Sequence, residues 1–107
     1  MPPKLRYEFY LPILYNNKKP VEKSKFRQVK NRMLKDFRGV STHPGIISGR
    51  WLDPNSNKLY ADELIKFEVC VYGSITNQLY FEKLKEELKE LFKQNEIYML
   101  YTEVIQV

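Results

Sequence analysis

Basic side chains with helical spacing are the feature of this sequence best suited to binding a charged ligand. Residues 18–38 hold nine of the 18 Lys and Arg residues but only two acidic ones, so this segment carries +7 in a chain of formal net charge +5. A helix through it would place four cations along one flank: Lys23, Arg27, Lys30 and Arg38. Such a flank could bind the phosphates of a nucleic acid or another polyanion. The alternative is a solvated flank whose long side chains cover the edge of the core.

A second set of polar residues could form a ligand site. The lone histidine, His43, could act as a general base, and Arg50 could bind a carboxylate or a phosphate. Tyr72 would complete this candidate site of His43, Arg50 and Tyr72. Structural roles fit the same residues, because a lone histidine in a turn is more often a surface residue and Arg50 could anchor a hairpin.

The residue types give little support to metal or cofactor chemistry. One histidine and one cysteine cannot supply the three or four such ligands of a zinc site. The sequence also has no Gly-rich phosphate loop, no paired-histidine metal motif and no Gly-x-Ser-x-Gly elbow. Cys70, between two valines, fits a small packed side chain better than a nucleophile. We therefore assign no catalytic residue and expect no metal and no cofactor.

The elements that would carry these residues follow from periodicity. Alternation predicts strands at 5–13, 46–52 and 65–72, and a last strand at about 97–106. Apolar stripes predict helices at 21–38, closed by Gly39, and at 77–94, capped by Asn77. Turn formers at 43–45 precede the second strand, and turn formers at 53–57 join the second and third strands as a hairpin.

This order of elements predicts the fold class. Strand, helix, strand, strand, helix, strand is the order of a ferredoxin-like α+β sandwich, with a four-stranded antiparallel sheet and both helices on one face. At 107 residues the chain is expected to form a single domain.

Four short segments carry a resemblance to a known family. They are Phe37-Arg38-Gly39, Gly49-Arg50-Trp51-Leu52-Asp53-Pro54, Leu59-Tyr60-Ala61-Asp62-Glu63 and Leu91-Phe92-Lys93-Gln94-Asn95-Glu96. The chain from about residue 7 onward is similar to an uncharacterised family of small bacterial ferredoxin-like domains. The resemblance implies the same fold and no particular activity.

The remaining predictions concern location and partners. A single cysteine, no apolar run of the roughly 18 residues that a membrane span needs and no visible signal peptide predict a cytoplasmic protein. The last predicted strand is apolar on both faces, which predicts a homo-oligomer, sheet against sheet or edge to edge. The sequence thus favours a self-associating, non-enzymatic binding module of unknown target. The alternatives are polyanion binding through the basic helix and an enzyme site around His43 and Arg50.

Overall fold

The chain folds as an antiparallel sheet covered by two helices. The computed structural model describes residues 3–43, 47–52 and 54–107. In chain order the elements are β1 (Lys4–Pro12), α1 (Lys23–Phe37), β2 (Ser41–Thr42), β3 (Ile47–Leu52), β4 (Leu59–Tyr72), α2 (Ile75–Leu91) and β5 (Met99–Val104).

The sheet is built around β1 and β4, which pair along Lys4–Pro12 and Leu64–Tyr72. The last strand, β5, pairs with the free edge of β1. Both β2 and β3 pair with the other edge of β4, at different points along it. All of these pairings are antiparallel. This topology confirms the predicted ferredoxin-like α+β fold.

Strand alternation divides the sheet into two different faces. Where β1 and β4 pair, their odd-numbered residues point towards the core, and three of them, Phe9, Phe67 and Val69, are at most 2% exposed. They pack there with residues of both helices, such as Met33 of α1 and Leu84 of α2. The prediction that both helices cover one face is therefore confirmed, and the even-numbered residues form a face without a helix layer.

The ends of the helices differ from the sequence prediction. Ser74, and not Asn77, caps α2: its hydroxyl oxygen accepts a hydrogen bond of 3.1 Å from the Asn77 N–H. At the end of α1, Arg38 adopts the left-handed conformation (φ 62°) expected for Gly39, and its N–H donates to the carbonyl of Leu34. A residue other than glycine can adopt the left-handed conformation at modest cost in energy. The prediction that Gly39 ends the helix was therefore wrong by one residue.

The β3–β4 hairpin extends beyond the rest of the sheet. β4 is 14 residues long, but its first four residues, 59–62, pair only with β3, and the carbonyl of Glu63 also accepts a hydrogen bond of 3.1 Å from the N–H of Ile13. The predicted turn between these strands is seen at Pro54–Ser56. Of the other predicted turn, at 43–45, only His43 lies within the described residues. The hairpin thus leaves a free face on each side where it departs from β1.

Both α-helices of the described ranges are too short or too polar to span a bilayer.

Candidate functional site

A cleft of about 510 Å³ lies where the hairpin departs from β1. Its apolar lining comes from four separate segments: Tyr10, Pro12, Ile47, Leu64, Ile97 and Tyr98. The rings of Tyr10 and Tyr98 are neighbours, with centroids 5.5 Å apart and planes tilted by 47°. The volume is within the range of about 300–1,000 Å³ that is typical of small-molecule sites. We call this site the open-face cleft.

Alternation along the hairpin decides which side chains enter the open-face cleft. Gly49 pairs with Asp62, and Ile47 with Leu64, so these residues share the side of Pro12, the partner of Leu64 in β1. Arg50 pairs with Ala61, one position along, so its side chain projects to the opposite side of the hairpin. Arg50 still lines part of the cleft wall. Asp62 is the charged residue of the hairpin whose strand position faces the cleft.

Gly49 allows a close approach of Leu64 to β3. A Cβ atom at this position would lie 3.1 Å from Cδ1 of Leu64, closer than ordinary van der Waals contact. A side chain at position 49 would therefore force the Leu64 side chain on the cleft wall to shift.

Glu96 gives the cleft wall a second carboxylate, which is already held by other groups. Its Oε1 atom lies 3.0 Å from Nζ of Lys85 and accepts a hydrogen bond of 3.0 Å from the N–H of Ile97. Because Lys85 donates to it, the pKa of Glu96 is lowered. Asp62, in contrast, forms no ion pair with any of the described residues, so it is the carboxylate that remains available to a ligand.

A charge network adjoins the open-face cleft on the same face of the sheet. Glu8 is only 7% exposed although no helix covers it. Its carboxylate lies 3.0 Å from Nε of Arg6 and 3.6 Å from Nζ of Lys66, and Lys66 also contacts Glu68 at 2.8 Å. The two positive and two negative charges cancel. Tyr10 lies between this network and the cleft, and burial is the main cause that raises the pKa of its hydroxyl, which therefore stays protonated near neutral pH.

The structure does not bring His43, Arg50 and Tyr72 into one cavity. The backbone N–H of His43 donates to the carbonyl of Lys66, and its ring lies 3.4 Å from Glu68. Tyr72 lies at the far end of β4, beneath the ammonium group of Lys4. Eleven positions of β4 separate Tyr72 from Ala61, the partner of Arg50, which corresponds to about 36 Å of strand. Arg50 is thus at the hairpin, while His43 and Tyr72 lie elsewhere on the sheet.

The four cations predicted to share one flank of α1 are all exposed. Lys23, Arg27 and Lys30 fall within an arc of about 60° on α1. Arg38 lies one residue beyond the helix, in the left-handed conformation. None of the four forms an ion pair with other described residues. We call them the basic flank. The other flank of α1 is used for packing: Arg32 bonds to Glu87 of α2, and Lys25 donates to the carbonyl of Leu91. The two flanks of α1 therefore differ in their contacts with the rest of the protein.

Sequence reasoning missed most of the open-face cleft. Of the cleft residues, only Arg50 belongs to the ligand site predicted from the sequence, which does not include Tyr10, Gly49, Asp62 or Tyr98. One signal was present in the sequence, because an isolated glycine within a strand pattern often marks a close approach of a ligand or another chain. As for metal binding, the described ranges contain no group of three or more His, Cys, Asp or Glu side chains arranged to hold an ion.

Comparison with known proteins supports the fold. The sequence matches neither a known protein family nor a curated protein. Among solved structures, it is similar to a phage SAM lyase in complex with S-methyl-5'-thioadenosine, with a TM-score of 0.71 and 14% identity over 96% of this chain and 83% of the lyase. It is also similar to the GlnK–ATP complex of B. subtilis, with a TM-score of 0.57 and 14% identity over 95% of this chain and 82% of GlnK. At this identity the likeness establishes a shared fold and no shared activity.

Proposed function

We propose that the protein is a small cytoplasmic binding module whose open-face cleft takes an adenine nucleoside or a close derivative. The observation that carries this proposal is the composition of the cleft, which combines two adjacent tyrosine rings with a carboxylate that has no ion-pair partner among the described residues. Aromatic rings provide a stacking surface for a planar base. A carboxylate such as Asp62 can accept hydrogen bonds from the two hydroxyls of a ribose.

The two structural neighbours support the choice of ligand class. One was solved with S-methyl-5'-thioadenosine and the other with ATP, and both compounds contain adenine and ribose. The open-face cleft is large enough for this common part. Gln94 on the cleft wall adds polar recognition: its amide nitrogen donates to the carbonyl of Phe92, which leaves the amide oxygen as an acceptor for the amino group of adenine.

Isothermal titration calorimetry with adenosine and S-methyl-5'-thioadenosine tests the proposal. We expect saturable binding with one site per chain, and no comparable heat with a pyrimidine nucleoside, whose smaller ring offers less stacking area. Absence of binding by both adenine compounds at high protein concentration would remove the proposed function.

We further propose that the protein self-associates through the face of the sheet that lacks helices. We call this face the open sheet face, and it includes Glu8, Lys66, Glu68, Tyr72 and Leu100. The two cations and two carboxylates at its centre cancel. The chain as a whole carries +5, but two copies can therefore meet at this face without repulsion between unbalanced charges. Exposed apolar groups flank the network: Tyr72 is 51% and Tyr98 64% exposed. These features favour a second copy of the chain as the occupant of this face.

Sedimentation velocity with two matched substitutions tests self-association. Leu100→Arg places an unbalanced charge beside Glu8, whereas Leu79→Arg places the same charge on an exposed position of α2. We expect a dimer or larger species for the wild type and for Leu79→Arg, and a monomer for Leu100→Arg. A wild-type protein that is monomeric at high concentration contradicts the proposal.

Polyanion binding through the basic flank is a second candidate function. It is favoured by the contrast within α1, where Lys25 and Arg32 are engaged with other residues but the basic flank is free of ion pairs with the described residues. Fluorescence anisotropy with mixed-sequence DNA at several salt concentrations tests it. We expect Arg27→Gln to weaken binding and reduce the salt slope by about 0.9 per lost phosphate contact, while Lys83→Gln on α2 changes neither. Binding that is absent or insensitive to salt excludes this function.

A further inference from the structure

We infer that a second cavity, on the opposite side of the β3–β4 hairpin from the open-face cleft, binds a zwitterionic ligand of the α-amino acid class. This cavity has a volume of about 670 Å³. It is lined by the segment that follows β1, by β3 and by the start of β4, including Leu14, Lys18, Ser48, Arg50, Leu59 and Glu63. We call it the hairpin cavity. Its ligand class differs from the nucleoside proposed for the open-face cleft, and binding at one site does not require binding at the other.

Two side chains of opposite charge lie on the same side of the hairpin without forming an ion pair. Arg50 pairs with Ala61 and Ser48 pairs with Glu63, so alternation places the side chains of Arg50 and Glu63 on the face that lines the hairpin cavity. They are diagonal neighbours across the two strands, a position in which Cβ atoms are typically about 7–8 Å apart. Both residues are exposed, and neither forms an ion pair with any of the described residues. A guanidinium and a carboxylate are therefore available together to a ligand placed between them.

A zwitterion satisfies both of these charges at once. The planar guanidinium of Arg50 can donate two parallel hydrogen bonds to a ligand carboxylate. The carboxylate of Glu63 can accept hydrogen bonds from a ligand ammonium group. An α-amino acid presents these two groups from a single carbon atom, so it can bridge the diagonal pair. A simple anion would gain Arg50 but be repelled by Glu63, and a simple cation would meet the reverse.

The rest of the lining fits the same class of ligand. Lys18 and Lys58 contribute further positive charges and Asp62 a further carboxylate, so the cavity presents charges of both signs. Leu14 and Leu59 supply apolar surface for the side chain of the ligand. Leu59 is 59% exposed, so an apolar ligand group packed on it would remove this surface from water. The volume of the cavity is sufficient for an amino acid with a long apolar side chain.

Titration calorimetry of the wild-type protein with leucine, leucinamide and N-acetylleucine tests the inference. Leucinamide lacks the carboxylate, and N-acetylleucine lacks the ammonium group. We expect leucine to bind at least about tenfold more tightly than either derivative, because each derivative loses one charge-assisted hydrogen-bonded contact. N-acetylleucine binding as tightly as leucine would show a simple anion site and overturn the inference. Leucinamide binding as tightly as leucine, or no binding of leucine at high concentration, would overturn it as well.

Two charge-removing substitutions then assign each contact. Arg50→Gln should abolish the preference for leucine over leucinamide and keep the preference over N-acetylleucine, whereas Glu63→Gln should do the reverse. Lys83→Gln on α2 and Glu103→Gln on β5 remove the same charges at exposed positions away from the hairpin, and should change neither preference. Equal effects of the hairpin substitutions and these controls would show that overall charge, and not the hairpin cavity, sets the preferences.

Discussion

The two faces of the sheet use neighbouring residues of the same strands for different purposes. On the covered face, Phe9 and Phe67 are 0% and 2% exposed, with ring centroids 5.3 Å apart. On the open sheet face, Tyr10 and Lys66, each one position away from those phenylalanines, adjoin the cleft and the charge network. A shift of one residue thus separates side chains buried in the core from side chains on the open sheet face. We therefore expect that stability and the proposed binding can be altered separately in this protein.

The largest expected effect of a substitution on stability is on the covered face. Phe9→Ala should lower the free energy of unfolding by about 3–5 kcal/mol, because it leaves a cavity beside Phe67. Tyr10→Ala, at the next residue, should cost far less stability and should weaken nucleoside binding instead. Urea denaturation monitored by circular dichroism gives both values. Equal losses of stability for the two variants would contradict the proposed division of roles.

Filling the open-face cleft is the next prediction. Gly49→Val should weaken binding of S-methyl-5'-thioadenosine by at least about tenfold, because even a Cβ atom at this position crowds Leu64. Ser48→Val, on the opposite side of the same strand, should leave the affinity unchanged. Titration calorimetry measures both, with thermal melts as the control for folding. Retained affinity in Gly49→Val would place the ligand elsewhere.

A smaller effect is expected from removing one stacking ring. Tyr98→Ala should reduce the binding free energy of the nucleoside by about 1–3 kcal/mol, the usual contribution of a base–aromatic stack. Tyr72→Ala removes a ring on the same sheet face but far from the cleft, so its affinity should match that of the wild type. A loss of affinity in Tyr72→Ala comparable to that in Tyr98→Ala would restore Tyr72 to the ligand site.

The smallest expected effect concerns the charge network of the open sheet face. The hydrogen bond from Lys66 is the main cause that lowers the pKa of Glu68, with a further hydrogen bond from His43. Because the folded pKa lies below the unfolded value of about 4.3, Glu68 stabilises the fold above that pH, and the stabilisation is lost as the pH falls through the folded pKa. The stability difference between wild type and Lys66→Met should therefore be present at pH 7 and shrink below about pH 4. Denaturation at several pH values measures it, with Lys83→Met as the control; a difference independent of pH would contradict this role of Lys66.

Much of the fold could be predicted from local patterns. The alternation of Leu5 to Leu11 and of Ile65 to Val71 identified the two central strands and their buried faces, because one face of each strand must be apolar. The apolar stripes identified both helices for the same reason. Local patterns could not place the caps at Ser74 and Arg38 or find the two-residue strand β2, since these depend on backbone conformations set by tertiary contacts.

The candidate site was less predictable because it depends on register. Tyr10, Gly49, Asp62 and Tyr98 come from four strand or loop segments, and only the pairing of those segments brings them together. The length of β4 likewise separates Arg50 from Tyr72, a distance that no spacing in the sequence reveals. Membership of the family of small bacterial domains, polyanion binding and the oligomeric state stay predictions.

A nuclear magnetic resonance titration of the isotope-labelled protein with S-methyl-5'-thioadenosine tests the central proposal most directly. If the open-face cleft binds the nucleoside, the largest saturable shifts will occur at the amides of Gly49, Asp62 and Tyr98, and the amides of α1 will change little. Shifts concentrated on the basic flank around Arg27 and Lys30, or no saturable shifts at all, would contradict the assignment of this cleft as the binding site.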